Sequence, residues 1–270
     1  MLGAIIGDVV GSRFEFHNHL SKDFELFNKK CMYTDDTVMT VAIADAIMQC
    51  DGDYSDLSSQ AIKSMRRIGQ HYPNCGYGGK FFKWMFSKNP QPYNSFGNGS
   101  AMRVSACGDI ATSLEEAKEL ARKVTVVTHN HPEGVKGAEC IAALIYLAKT
   151  GASKEYLKEF VETCYYPLNF TIDSIRDTYV HNTTCQNTVP QAIETFLEGK
   201  DFEDVIRIAI SLGGDSDTIA AIAGSIAEQY YGIPERIKLG LYEYGALDYR
   251  LLSVIWEFET YRNTKKEEVR

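Results

Sequence analysis

Apolar positions recur with the period of a helix along most of the chain. Between positions 37 and 49 they run nearly all the way round, interrupted by Thr40 and Asp45, which predicts a helix buried in a large core. Ser113-Leu114-Glu115-Glu116 reads as a capping box opening a helix to about Lys123. Pro132 at a first-turn position predicts a helix through Ile141, Ala142 and Ile145, stopped at Gly151. The same period predicts helices over 153–164, 189–198 and 202–211. Ile219, Ile222, Ala223 and Ile226 predict another over 218–231, ended by Gly232-Ile233-Pro234. A last helix is expected over roughly 251–262, with 265–270 as a frayed tail. No segment alternates with period two, so the expected fold class is all-α, with Ala- and Gly-rich helices packed closely. There is no internal repeat or linker composition, and residues 1–270 read as a single domain.

The stretch 74–102, rich in Gly, Asn, Pro and aromatic residues, breaks the pattern. Irregular segments beyond about 15 residues in compact domains are usually functional or disordered. Its aromatics, Tyr93 and Phe96 among them, argue against disorder.

Composition narrows the function. With 270 residues, 44% apolar and 24% charged, the chain is neither disordered, collagen-like nor a disulfide scaffold. A net charge of −8 argues against a general binder of nucleic acid or anionic membrane. The seven cysteines are odd in number, far apart and form no CxxC pair, so neither a disulfide framework nor a zinc site is signalled. With no basic leader and no apolar run of about 18 residues, the expectation is a reduced, cytoplasmic protein without a membrane span.

Two acidic clusters carry the chemistry: Thr34-Asp35-Asp36-Thr37 and Gly213-Gly214-Asp215-Ser216-Asp217-Thr218. Each sets two carboxylates and flanking hydroxyls before an apolar helix. As isolated N-caps they need no metal, because Asp and Thr cap helices routinely. If the clusters meet, repulsion dominates: one like-charge pair 4 Å apart costs about 4 kcal/mol even at an effective dielectric of 20. Two divalent cations would cancel the four charges, and oxygen ligands favour Mg²⁺ or Mn²⁺ over Zn²⁺. His129 and His131 lack the further ligands a zinc site needs.

These clusters, with Gly3-Ala4-Ile5-Ile6-Gly7-Asp8, Gly11 through Glu15, Gly97-Asn98-Gly99-Ser100-Ala101-Met102-Arg103 and Thr128-His129, resemble the ADP-ribosylglycohydrolase family, in the family's order. The resemblance implies a compact all-α domain with a dinuclear Mg²⁺ or Mn²⁺ centre. Its ligands would be Thr34, Asp35, Asp36, Asp215, Asp217 and Thr218. It implies metals beside the ribose hydroxyls, Glu15 as the assisting carboxylate, and His129 as a ligand-binding residue. Asp8 is read as structural. Asn98, Gly99, Ser100, Ala101 and Met102 are expected to bind ligand, with consecutive N–H groups cradling a diphosphate. Tyr93 and Phe96 are candidates for stacking on adenine.

The expected reaction is metal-dependent hydrolysis of the bond between ADP-ribose and an acceptor, which could be a protein, a nucleic acid or a small molecule. A non-catalytic ADP-ribose-binding or structural member of the same fold is the alternative. An all-α Mg²⁺-dependent isoprenoid synthase is a weaker one, because the third acid expected after Asp35-Asp36 is missing. Two departures from the family pattern stand out. Ala106 occupies the place of a usual proline, and 57–108 contains no Asp or Glu. That segment carries +7, leaving −15 for the remainder, and its cations are expected to form one electropositive wall drawing in the diphosphate. The acceptor and the oligomeric state are not legible.

Overall fold

A computed structural model describes the backbone of residues 1–268 and the side chains as far as Lys265. Its first seven helices are α1 (Leu2–Gly11), α2 (Asp35–Gln49), α3 (Leu57–Gly69), α4 (Gly79–Phe86), α5 (Ser105–Ile110), α6 (Leu114–Thr125) and α7 (Pro132–Lys149). There follow α8 (Lys154–Cys164), α9 (Ile172–Ile175), α10 (Cys185–Glu198), α11 (Phe202–Leu212), α12 (Ser216–Tyr231), α13 (Glu235–Tyr244) and α14 (Tyr249–Glu268). Among the described residues there is no strand, only one isolated bridge between Gly97 and Thr184. The all-α expectation holds. No helix among the described residues is long and apolar enough to cross a membrane.

α12 lies at the centre, packed against α1, α7, α10 and α11. Its closest neighbour is α1, buried along its whole length. Gly3, Gly7 and Gly11 recur every fourth residue and bare one side of α1. A Cβ on Gly3 would stand 2.2 Å from the carbonyl oxygen of Gly224, and one on Gly7 2.1 Å from that of Ala220. Atoms do not approach so closely, so the two helices touch backbone to backbone only because these positions lack side chains.

α2 begins with Thr34 as N-cap and is buried through most of its length, as the all-round apolar pattern predicts. Its two polar interruptions are satisfied inside the core. Thr40 Oγ1 donates to the Met102 carbonyl at 3.3 Å, and Asp45 accepts from Ser64 and Arg67. α7 has Pro132 in its first turn and Gly151, at φ +90°, just past its end. α12 ends at Gly232, at φ +72°.

Four expectations need correction. The capping box of α6 is half formed: Ser113 accepts from the Glu116 N–H at 3.1 Å, but the Glu116 carboxylate turns to the N–H and hydroxyl of Thr112, both at 2.6 Å. α10 starts a turn earlier than 189, with Pro190 inside it. Burial of Cys185 and Thr188 against the 97–100 turn and α7 outweighs the N–H that Pro190 lacks. The stretch 74–102 is not wholly irregular: it contains α4, whose Phe81, Trp84 and Met85 are buried. At the C-terminus, α14 is helical to Glu268, beyond the expected 262; of the expected frayed tail, residues 269 and 270 lie outside the described residues.

Candidate metal centre and ligand cavity

α1 brings the two acidic clusters together. Toward α2, the Asp8 carboxylate accepts from the Thr34 N–H at 2.9 Å, the Thr34 hydroxyl at 2.8 Å, the Thr37 N–H at 3.0 Å and the Thr37 hydroxyl. Asp8 thus clamps the N-terminus of α2 and is structural, as expected. Toward α12, a Cβ on Gly11 would stand 2.4 Å from Asp217 Cα. The chain leaving α1 therefore carries Glu15 to the second cluster.

That cluster turns on two glycines with positive φ, Gly213 at +77° and Gly214 at +73°. The Gly214 N–H donates to Asn18 Oδ1 at 3.0 Å, and a Cβ there would meet Tyr179 at 2.6 Å. Asn98 Nδ2 donates to Asp215 Oδ2 at 2.6 Å and to Thr188 Oγ1 at 3.2 Å. The two clusters meet directly, because the Thr218 hydroxyl donates to Asp36 Oδ2 at 3.1 Å. The Thr34 hydroxyl gives its proton to Asp8 and accepts from the Asp36 N–H at 3.2 Å, which leaves one lone pair.

The electrostatics follow from this crowding. Asp36, Asp215 and Asp217 are each at most 5% exposed. Burial, and then the charges of neighbouring carboxylates, hold Asp35, Asp36 and Asp217 well above the usual carboxylate range. Burial also raises Asp215, against the hydrogen bond from Asn98. Glu15 is pushed up to about 7 by burial and then by Asp215, with His181 acting the other way. Asp36 Oδ1 and Asp217 Oδ1 are buried without a donor. Unpaired buried carboxylate oxygens are costly. Hard, oxygen-seeking cations match this donor set.

Glu15, Asp35, Asp36, Asp215, Asp217 and Thr218 line a cavity of about 320 Å³. Asn98, Gly99, Met102, His129, Tyr93, Arg103 and Lys80 line it too. Thr34, Ser100 and Ala101 do not reach it. Ser100 and Ala101 are buried beneath the loop, where the Ser100 hydroxyl donates to the Gly134 carbonyl at 2.8 Å. The N–H groups of Gly97, Asn98, Ser100, Ala101 and Met102 are already bonded within the protein, because the loop closes as a 3₁₀ turn. The expected nest of consecutive free N–H groups is therefore not formed. What the glycines provide is room: a Cβ on Gly97 or Gly99 would lie 3.6 or 3.5 Å from His129 Nε2.

His129 is 5% exposed, with Nδ1 2.8 Å from the Thr128 hydroxyl, which accepts from Arg103 at 2.8 Å. Burial and the Arg103 charge keep its imidazole neutral. His131 instead caps α7, accepting from the Glu133 N–H at 3.1 Å, so the two histidines do not act as a pair. The Tyr93 ring stands 6.0 Å from that of His129, whereas Phe96 packs on His131 away from the cavity lining.

The single electropositive wall does not form. Arg66 donates to the carbonyls of Met85 and Ser87, and Arg67 pairs with Asp45. Of the seven cations only Lys80 and Arg103 line the cavity. Two site residues were given no individual role by the sequence: Arg103 stood out only as the end of the 97–103 motif and one of the seven cations, and His181 not at all. Arg103, 1% exposed, donates to the Val124 carbonyl and the Thr128 hydroxyl and has no carboxylate partner among the described residues. His181, in the loop between α9 and α10, reaches Glu15 and Asp215, one ligand atom from each of the three lying within 4.8 Å of the others.

The ADP-ribosylglycohydrolase family model matches residues 1–263. Human ADP-ribosylhydrolase ARH3 is 26% identical, with 87% of this chain and 85% of that protein covered. ADP-ribosylarginine hydrolase Tri1 of Pseudomonas putida is 27% identical, with 86% of this chain and 70% of that protein covered. A solved structure titled "ADP-ribosylglycohydrolase-related protein complex" superposes with a TM-score of 0.67 at 23% identity over 94% of this chain and 93% of its own, a likeness of fold.

Proposed function

Because this chain belongs to the ADP-ribosylglycohydrolase family, we propose that it hydrolyses the glycosidic bond between ADP-ribose and an acceptor, releasing ADP-ribose. Residues 1–270 are taken as one such domain. The observation that carries the proposal is the meeting of the two acidic clusters at the Thr218–Asp36 hydrogen bond, with two buried carboxylate oxygens left unpaired beside it.

Asp35, Asp36, Asp215 and Asp217, with the Thr218 oxygen, would hold two Mg²⁺ or Mn²⁺ ions, and Thr34, outside the cavity lining with its hydroxyl on Asp8, would orient Asp35 and Asp36 as the cap of α2. Bound there, the ions would supply Lewis acidity to the ribose hydroxyls and to a water. Glu15 would take the proton that water loses as the bond to the acceptor breaks at the anomeric carbon, and return that proton to the departing acceptor atom. Asn98 fixes Asp215, and Asp8 fixes the turn that presents Asp35 and Asp36. Gly97 and Gly99 leave space for the diphosphate beside the neutral His129, and Tyr93 offers a ring for adenine.

The acceptor is tested by offering arginine-linked, serine-linked and nucleic-acid-linked ADP-ribose with Mg²⁺ or Mn²⁺ and following ADP-ribose release. Release that stops with EDTA and returns with either ion supports the proposal. Tight ADP-ribose binding without release from any of the three favours a non-catalytic member of the fold.

A further inference from the structure

We propose that His181 is a metal ligand, joining Glu15 and Asp215 around one cation, and that this position takes a first-row transition ion in preference to Mg²⁺. The inference rests on the dinuclear reading above and adds to it a nitrogen donor. One ligand atom from each of the three side chains lies within 4.8 Å of the other two. Three donors mutually 4.8 Å apart sit about 2.8 Å from their common centre, so side-chain shifts of less than about 1 Å bring each to the roughly 2.1 Å of a metal–ligand bond.

The imidazole is placed by the scaffold. A Cβ on Gly214 would stand 2.6 Å from Tyr179 Cε1, so the absent side chain lets the loop that carries His181 lie over the start of α12 beside Asp215. Asn98 ties both sides together: its N–H donates to the Thr183 carbonyl at 2.8 Å while its side chain holds Asp215. The Phe16 ring stacks on His181 at 6.1 Å and an interplanar angle of 29°, limiting the tilt of the imidazole.

A second observation points to a cation here. Asp217, 3% exposed and lining the same cavity as Glu15 and Asp215, has a buried Oδ1 with no donor. Asp215 is held in place through Oδ2, which accepts from Asn98. Glu15 ligates through one oxygen and keeps the second for the proton. Imidazole nitrogen suits transition ions, whereas Mg²⁺ keeps to oxygen and water. The position therefore discriminates by donor type as well as by charge.

The test uses the full chain freed of metal and Mn²⁺ alone as probe, with Mn²⁺ binding followed by electron paramagnetic resonance. Wild type is expected to take up two Mn²⁺ and to show coupling from a histidine nitrogen in the pulsed spectrum. His181→Ala should weaken one of the two by about 10–100-fold and abolish that coupling, with Mg²⁺ affinity unchanged. His129→Ala should retain the coupling. Two Mn²⁺ bound with no nitrogen coupling in the wild type would overturn the assignment of His181 while leaving the dinuclear reading intact. No Mn²⁺ uptake by wild type would overturn both.

Discussion

Gly11 of α1 lies against Asp217 of α12 so closely that a Cβ would stand 2.4 Å from the Asp217 Cα and 2.8 Å from its backbone nitrogen. This contact sets how far Glu15, four residues on, stands from the second acidic cluster. Three carbons of α1, the Cα atoms of Gly3, Gly7 and Gly11, thus connect a packing rule to the geometry of the site. Gly11→Ala should force the helices apart and destabilise the fold by about 1–3 kcal/mol, the usual cost of overpacking. Denaturant unfolding would measure it, and Mn²⁺ affinity should fall in parallel. An unchanged midpoint would mean that α1 shifts freely on α12.

Divalent metal should stabilise the protein. The buried Asp36, Asp215 and Asp217 converge with the half-buried Asp35, and bound cations replace repulsion with attraction. At a free metal concentration 100 times Kd, mass action contributes roughly 2.7 kcal/mol. Thermal unfolding in EDTA and in added Mg²⁺ or Mn²⁺ should differ accordingly, and coincident curves would count against the centre.

That stabilisation should grow with pH. Asp35, Asp36 and Asp217 have folded-state pKa values raised above their unfolded ones. A raised carboxyl contributes stability that is fully present below the unfolded value, about 4, and lost as pH rises through the folded value. The metal-free protein loses this contribution on going from acid toward neutral and alkaline pH, whereas bound cations hold the carboxylates ionised without that penalty. The difference in melting temperature between metal-loaded and EDTA-treated samples should therefore widen as pH rises. A difference that is constant, or that narrows, would contradict the convergence of these groups.

Much of this was legible from chemistry, less from pattern. Asp35, Asp36, Asp215 and Asp217 stand out because carboxylates this dense before apolar helices are expensive unless something neutralises them. Asp8 was readable as structural, and its four accepted hydrogen bonds bear that out. The backbone of the 97–102 loop was misread, because Gly-rich sequence shows freedom to bend but not which N–H groups the bend consumes. α4 was hidden by its flanking Gly and Asn residues, although Phe81, Trp84 and Met85 keep helical spacing. His181 left no trace, since its place depends on a loop that long-range contacts with Asn98 and Gly214 hold.

Glu15 and the aspartates should separate in kinetics. Asp35→Asn or Asp215→Asn should lower both metal occupancy and turnover. Glu15→Gln keeps an oxygen donor, so metal and ADP-ribose binding should survive while release slows by about 10²–10⁴, the usual size of an acid/base contribution. Parallel measurement of Mn²⁺ stoichiometry and ADP-ribose release distinguishes the two cases. Wild-type turnover in Glu15→Gln would remove Glu15 from the chemistry.

Lys80 should behave unlike its neighbour Lys83. Both are exposed cations of α4, but Lys80 lines the cavity and Lys83 does not. Of the other cations of this stretch, Arg66 is spent on carbonyls, Arg67 on Asp45 and Arg103 is buried, and neither Lys63 nor Lys88 lines the cavity. Attraction of an anionic ligand from solution therefore falls mainly to Lys80, against a field of nearby carboxylates. Steering of this kind acts on association and is screened over about 8 Å at physiological ionic strength. Lys80→Glu should lower kcat/KM for ADP-ribosylated substrate more than kcat, and the loss should shrink as salt is raised. Lys83→Glu should leave both constants unchanged. Equal losses in the two variants would restore the broad electropositive wall that the side-chain contacts of 57–108 otherwise break up.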